Sequence, residues 1–346
     1  MRHRLLPLLL AALALNGCHR ELKVFSYQED LMHTRWDFSV VAADEALAKA
    51  AEQEAAALIH RLDGTLAMWQ PQSELSVANG GAGAKGGAAL SDDLAEVCSL
   101  ALEAAKRSHG TFDPTVGPLT QAWYDARQAD RLLGPGEIHA LMQRVGWQSV
   151  TLTAGNNLGL RPRLRFLKPG MRLDFGGIAK GYAQDKAAAL LRAHGLVSFL
   201  MNAGGQVYAA GHKPDGSAWR VGIVNPRDNA KLVAIVPLSD QVMATSGDYE
   251  QFKIVNGKRS HHLLDPRTGS FVDNGVASAT SILPLQAGAF PATWADIHGK
   301  PVFVLGPAKG LAYLQAAAAE GLIISVTPRG LTATATPGLR GLALQL

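Results

Sequence analysis

The chain has 346 residues, of which 47% are hydrophobic and 18% charged, an ordinary composition for a globular protein with a large core. Its formal net charge of +4 is small and gives no reason to expect a nucleic-acid partner or a basic membrane-binding face. The two cysteines, Cys18 and Cys98, are too few for a cysteine-based metal site.

Residues 1–17 have the features of a bacterial lipoprotein signal peptide. Two arginines precede the apolar run Leu5–Leu15, which is too short to span a bilayer. The four residues Leu15–Cys18 resemble a lipoprotein box, in which cleavage leaves Cys18 as a lipidated N-terminus. A plain signal peptide with an incidental cysteine is the alternative. We therefore expect a periplasm-facing lipoprotein of the bacterial envelope, with inner and outer membrane both open.

Residues 18–34 are predicted to be a lipidated N-terminus and tether, and residues 35–346 one domain. In the first half of that domain the patterns predict a strand at Trp36–Val41, a helix at Ala43–Leu66, irregular structure at Met68–Asn79, a glycine-rich loop at Gly80–Gly87, a helix that Ser91 caps and Gly110 ends, and an ordered loop at Gly110–Leu119.

In the second half we predict a hairpin from Leu164–Leu167 and Met171–Phe175, a helix at Ala183–Ala193, strands within 199–245, a strand at Val276–Leu283, helices at Ala292–Leu305 and Lys309–Ala319, and a return to strand from Gly321. Strands and helices alternate without a regular repeat. The fold class is therefore α+β, as a single mixed α/β domain.

An aspartate, two glycines and a lysine come together where a predicted strand meets a helix. Asp174 is followed by Gly176, Gly177 and Lys180, and the helix Ala183–Ala193 comes directly after. Exposed amides and a flexible ammonium at such a turn suit a phosphate or another polar group. A tight turn with an exposed lysine explains the same residues equally well.

Two further segments carry residues suited to catalysis. His262 and Asp265 flank two apolar residues before a proline turn, and a bend there would bring imidazole and carboxylate to one site. Asp296 could ligate a hard cation such as Mg²⁺, or it could be a carboxylate near a helix start.

The order and spacing of seven segments resemble the ApbE family of FAD:protein FMN transferases. These segments are Ser73–Ser76, Gly110–Leu119, Asp174–Asp185, Asn202–Gly205, Thr245–Glu250, His262–Gly269 and Ala295–Asp296. The resemblance runs from about Trp36 to Leu305. It implies an ApbE-like fold and an enzyme that binds FAD and Mg²⁺ and transfers FMN to a threonine or serine of an exported target protein, releasing AMP.

The resemblance also implies roles for residues at matching positions. The residues expected to contact FAD are Trp69, Thr111, Phe112, Asp113, Asp174, Lys180 and Leu264. Trp69 is assigned as a stacking residue because a flat aromatic ring suits a flavin or adenine. His262 is expected to be the general base, and the carbonyl of Gly177 with the carboxylate of Asp296 is expected to hold Mg²⁺.

One position departs from the family pattern. Four residues after Asp296 the family usually has a threonine that ligates the metal, and this chain has Lys300. A charged ammonium cannot ligate a cation. Two alternatives to the transferase therefore stay open. One is an FAD-binding lipoprotein with a degenerate metal site that stores or senses flavin, and the other is a hydrolase that splits FAD into FMN and AMP.

Overall fold

The computed structural model describes residues 21–84, 86–155 and 159–346. In chain order the strands are β1 (Lys23–Leu31), β2 (Thr34–Ala42), β3 (Ala88–Ala89), β4 (Val150–Thr153), β5 (Arg163–Phe166), β6 (Phe199–Ala203), β7 (Gln206–Ala210), β8 (Trp219–Asn225), β9 (Asp228–Leu238), β10 (Gln241–Gly247), β11 (Phe252–Val255), β12 (Lys258–His261), β13 (Val276–Pro284), β14 (Glu320–Thr327) and β15 (Gly330–Ala335).

The helices are α1 (Glu45–Leu66), α2 (Glu74–Gly80), α3 (Asp92–Arg107), α4 (Gly117–Gln128), α5 (Pro135–Met142), α6 (Ala179–Ala193) and α7 (Pro291–Ala316). The last of them is broken at Gly306, where φ is 76°. That break separates the two helical segments predicted from the sequence.

An eight-stranded antiparallel sheet forms the centre of the molecule, in the order β1-β2-β6-β7-β10-β13-β14-β15. Alternate residues of each strand face opposite sides. Along β2, Trp36, Phe38 and Val40 enter the larger core, whereas Val41 enters a separate cluster on the other face. The strand predicted at Trp36–Val41 is therefore confirmed, together with the alternation that predicted it.

The two faces of this sheet are covered differently. Helices α1, α6 and α7 lie over the face with the larger core, and the β8–β9 hairpin covers much of the other. A third apolar cluster lies under α4 and α5 around Leu119 and Trp123. The predicted α+β class is confirmed, because helices and an antiparallel sheet form separate layers.

Four local predictions are wrong. Residues 23–31 of the expected tether form the edge strand β1, and the segment expected to be irregular contains α2. No hairpin joins Leu164–Leu167 to Met171–Phe175, since β5 pairs with β3 and β4 instead. The loop expected up to Leu119 gives way to α4 from Gly117.

Among the described residues, no helix is both long and apolar enough to cross a membrane.

Candidate active site

A cavity of about 850 Å³ opens where the first turn of α6 and the stretch Asp296–Val304 of α7 meet the loop after β12 and the side of α4. It brings together every described residue to which the family resemblance assigned a role, together with Lys300. These are Trp69, Thr111, Phe112, Asp113, Asp174, Gly177, Lys180, His262, Leu264, Asp296 and Lys300. Their individual roles stay predictions. Cys18 lies outside the described residues.

Asp174 shapes the entry to α6. Its Oδ1 accepts a hydrogen bond from the Gly176 amide at 2.8 Å, and its Oδ2 accepts one from the Thr120 hydroxyl at 2.8 Å. Both oxygens are therefore engaged in holding the turn against α4. In the described part of the chain Lys180, in the first turn of α6, has no ion pair and lines the cavity. Of these two residues, the lysine is the one that can bind an anion directly.

Asp113 is buried and its carboxylate is used within the protein. Oδ1 accepts from both the amide and the hydroxyl of Thr115, at 2.8 and 2.6 Å, and Oδ2 accepts from the Trp147 amide at 3.1 Å. The Thr111 hydroxyl likewise donates to a main-chain carbonyl at 2.8 Å. What this loop offers a ligand is therefore mainly a rigid wall, with the Phe112 ring beside Gly177.

The two consecutive histidines have different environments. His261 is buried; its Nδ1 accepts from the Leu263 amide at 3.2 Å, and its Nε2 lies 2.8 Å from the Val272 carbonyl. These contacts assign the proton to Nε2 and leave His261 no free nitrogen. His262 lines the cavity, and its buried Nδ1 has no hydrogen-bond partner among the described residues. His261 therefore anchors the segment, and His262 lines the cavity with a ring nitrogen that the described residues leave without a partner.

The expected pairing of His262 with Asp265 is wrong. The Asp265 carboxylate binds the Arg267 side chain through two hydrogen bonds of 2.9 and 2.8 Å and also accepts from the Arg267 amide at 2.9 Å. It does not line the cavity. The turn is held by this local ion pair, so Asp265 is not a partner of His262.

Asp296 and Lys300 form a buried ion pair one turn apart on α7. Lys300 Nζ contacts Asp296 Oδ1 and donates to its main-chain oxygen at 2.8 Å, while Asp296 Oδ2 accepts from the Gly181 amide at 3.2 Å. Burial opposes the charged form of each group. The nearby ammonium groups of Lys300 and Lys180 nevertheless hold the pKa of Asp296 below its usual value, so this carboxyl stays ionised.

Asp185 is a positioning residue that the sequence analysis missed. It projects from α6 and accepts hydrogen bonds from the amides of Ala292 and Thr293, at 3.0 and 2.8 Å, and from the Thr293 hydroxyl at 2.7 Å. The residue before α7, Phe290, provides no side-chain cap. Asp185 therefore caps α7 from a neighbouring helix and fixes the first turn of the helix that carries Asp296.

Two exposed aromatic rings lie at the mouth of the cavity. Trp69 is 45% exposed and Tyr124 is 44% exposed, and their ring centroids are 5.1 Å apart. Exposed rings in a concave site suit a flat heteroaromatic ligand. Tyr124 was missed because α4 was not predicted, although Leu119, Trp123 and Ala126 have helical spacing.

We expect the protein to lose stability in acid because His262 is held neutral. Burial, with the adjacent His261 ring and the Lys300 ammonium, lowers the pKa of His262 to about 3. The unfolded chain binds a proton there near pH ~6.5, so the free energy of unfolding falls as pH drops below that value, by up to about 1.4 kcal/mol per pH unit. Chemical denaturation between pH 4.5 and 6.5 should show a shallower slope in His262→Gln than in the wild type.

Other groups near His262 do not reverse this sign. Lys180 and Arg127 also disfavour the imidazolium form of His262. Asp185 works in the opposite direction, since burial raises its pKa to about 6, but it is present in both proteins. Equal slopes in the wild type and His262→Gln would contradict the prediction.

Comparison with known proteins agrees with the fold and the cavity described above. The family model described as "ApbE family" matches residues 32–323. A FAD:protein FMN transferase of Klebsiella pneumoniae (strain 342) is 31% identical over 281 residues, which cover 80% of this chain and 77% of the relative. One from Haemophilus influenzae is 28% identical over 310 residues, covering 87% and 86%.

Solved structures give the same result. The flavin transferase ApbE from Vibrio cholerae superimposes with a TM-score of 0.79 at 26% identity, covering 93% of this chain and 100% of that one. The apo form of the flavinyl transferase ApbE from Pseudomonas stutzeri has a TM-score of 0.78 at 28% identity, covering 93% and 97%. The family model spans strands β2 to β13, helices α1 to α7 and the cavity described above, and this chain belongs to the ApbE family.

Proposed function

We propose that this protein is a FAD:protein FMN transferase that moves FMN from FAD to a threonine or serine hydroxyl of an exported protein and releases AMP. The observation that carries the proposal is one cavity combining an anion-binding lysine, a histidine with an unpartnered ring nitrogen and exposed aromatic rings. Relatives that cover most of the chain are named for this activity.

The cavity residues can divide the reaction among them. Trp69 and Tyr124 offer faces to the planar rings of FAD, and Lys180 offers positive charge to the pyrophosphate. His262 is neutral at physiological pH and lies in the same cavity, so it can accept the proton of an incoming hydroxyl.

The transfer itself needs positioning and charge neutralisation more than covalent chemistry from the protein. The acceptor hydroxyl oxygen forms a bond to the phosphorus that carries the FMN group, and the bond from that phosphorus to the bridging oxygen breaks. The bridging oxygen leaves with AMP, and the hydroxyl proton passes to His262. The cationic groups of the cavity lower the cost of the charge that develops on the departing phosphate.

The resemblance implied that the enzyme depends on magnesium. The residues around Asp296 do not fit a magnesium site. The ammonium of Lys300 contacts both the carboxylate and the main-chain oxygen of Asp296. No cluster of three histidine, cysteine, aspartate or glutamate side chains able to hold a metal is present among the described residues. We therefore assign no step of the transfer to a metal ion.

Purified protein mixed with FAD and a candidate acceptor should yield an acceptor that keeps flavin fluorescence after denaturing electrophoresis, together with AMP. A relative with established activity, assayed on the same acceptor, serves as the positive control. AMP and FMN released without acceptor labelling would favour the hydrolase. FAD binding with neither product would favour the flavin store or sensor, and either result would refute the transferase.

We also propose that the protein is exported and anchored in the bacterial envelope through a lipid on Cys18. The support is the signal-like sequence of residues 1–17 alone. Metabolic labelling with a radioactive fatty acid should mark the wild type and leave Cys18→Ser unlabelled, and a label on both would contradict the assignment.

A further inference from the structure

The cation beside Asp296 is the ammonium group of Lys300, a side chain of the protein itself. Lys300 follows Asp296 by one helical turn, so both side chains lie on the same face of α7. The ammonium contacts Oδ1 and donates to the main-chain oxygen at 2.8 Å. The Asp296 side chain is only 3% exposed and that of Lys300 is 20% exposed. The carboxylate is therefore neutralised inside the protein.

The aliphatic stem of Lys300 is packed closely against Gly177. A Cβ on Gly177 would lie 3.2 Å from Lys300 Cε and 3.6 Å from Cδ, so the glycine leaves the space through which the stem passes. A Cβ at residue 177 would require the stem of Lys300 or the Phe112 ring to shift slightly. The double glycine and the lysine therefore fit each other, and the ammonium is held in place by both packing and hydrogen bonds.

A lysine ammonium has three donors, and two are directed to Asp296. The third is available to a ligand in the cavity that Lys300 lines. Lys180 lines the same cavity from the first turn of α6, so two ammonium groups flank the space in front of Asp296. Together they carry the charge of one divalent ion.

A metal ion would have to compete with this arrangement. Oδ1 and the main-chain oxygen of Asp296 already accept from Lys300, and Oδ2 accepts from Gly181. A divalent ion beside Oδ1 would also be repelled by the ammonium that is held there. Displacing Lys300 would leave a charged group partly buried and without its partner.

We propose that Lys300 is the resident cation of this site and that it holds the pyrophosphate of a dinucleotide together with Lys180, so that binding requires no metal ion. The inference rests on the proposed function for the identity of the ligand. It departs from the magnesium dependence that the resemblance implied, and it names the residue that replaces the metal.

The test measures FAD binding by quenching of flavin fluorescence, with no acceptor present, in EDTA and in excess Mg²⁺. The wild type should bind FAD with the same affinity in both buffers, within about twofold. Lys300→Met removes the charge and keeps the stem, and should weaken binding roughly 10- to 100-fold in both buffers, the loss expected for one charge-assisted hydrogen bond.

Lys300→Thr is the matched variant, because a hydroxyl in place of the ammonium frees Asp296 to ligate a metal. It should bind FAD as weakly as Lys300→Met in EDTA and recover affinity when Mg²⁺ is added. Calorimetric titration with MgCl₂ alone should detect binding to Lys300→Thr and none to the wild type. Circular dichroism melts establish that both variants fold.

Loss of FAD binding by the wild type in EDTA, with recovery on adding Mg²⁺, would overturn the proposal, and that measurement needs no variant. Saturable binding of MgCl₂ alone to the wild type would also overturn it. Failure of the proposed function is a separate result. A wild type that binds FAD equally in both buffers but labels no acceptor would refute the transferase and leave the assignment of Lys300 intact.

Discussion

The His262→Ala variant is expected to transfer FMN roughly 10²- to 10⁴-fold more slowly than the wild type, the usual loss when a general base is removed. Its affinity for FAD should change little, because the removed ring is neutral and the cationic groups of the cavity remain. A single-turnover assay of acceptor labelling measures the first quantity, and fluorescence quenching measures the second.

A structural role for His262 would produce a different result. If the ring mainly supported the loop after β12, its loss would lower the melting temperature and weaken FAD binding along with transfer. Free imidazole should partly restore transfer to His262→Ala, because a small base can enter the space left by the ring. Rescue without any change in melting temperature is the signature of a lost proton acceptor.

His60 provides the control for the loss of a histidine. It lies exposed on α1, away from the cavity, so His60→Ala should transfer FMN at the wild-type rate. A transfer rate for His262→Ala within twofold of the wild type would show that another group accepts the proton.

The central sheet was largely predictable because its strands alternate over two separate cores. The edge strand β1 was not, since its sequence is mostly polar and only one side of it is paired. Such a strand forms because it pairs with its neighbour β2, and its own sequence pattern does not predict it. Helix α4 was missed for a related reason, because Pro118 in its first turn resembles a loop signal until the later helical spacing is weighed.

The order of the motifs predicted residues that line one cavity, but it did not predict the contacts that their side-chain atoms make. Asp113 and Asp174 were expected to contact the ligand, yet their carboxylate oxygens hold turns of the protein. Asp185 caps a helix that begins 106 residues further along the chain. Such contacts join segments distant in sequence, and no local pattern encodes them.

Gly181 illustrates how close packing of two helices determines the geometry of the site. A Cβ at this position would lie 2.4 Å from the Ala292 carbonyl oxygen and 2.7 Å from Thr293 Cα, both atoms of the main chain. The amide of Gly181 also donates to Asp296 Oδ2 at 3.2 Å. Main-chain atoms cannot move aside like a flexible side chain, so α7 would have to shift away from α6.

Gly181→Ala is therefore expected to destabilise the protein even though alanine favours helices. Helix propensity would contribute about 1 kcal/mol in favour of alanine, whereas forcing a methyl group into a packed contact typically costs about 1–3 kcal/mol and sometimes more. Because Asp296 and Lys300 move with α7, FMN transfer should also fall, by roughly 10²-fold for a displacement of about 1 Å. Urea denaturation and the labelling assay measure the two effects.

Gly64 supplies the matched control for this substitution. It lies in α1, and a Cβ there would meet nothing within 4 Å. Gly64→Ala should therefore raise the free energy of unfolding by up to about 1 kcal/mol through helix propensity alone, with no change in transfer. If Gly181→Ala lowers the free energy of unfolding and Gly64→Ala raises it, the lost stability at residue 181 is assigned to the contact between α6 and α7. If Gly181→Ala were as stable and as active as Gly64→Ala, that contact would have to be loose enough to accept a methyl group, and the position of Asp296 and Lys300 would not depend on it.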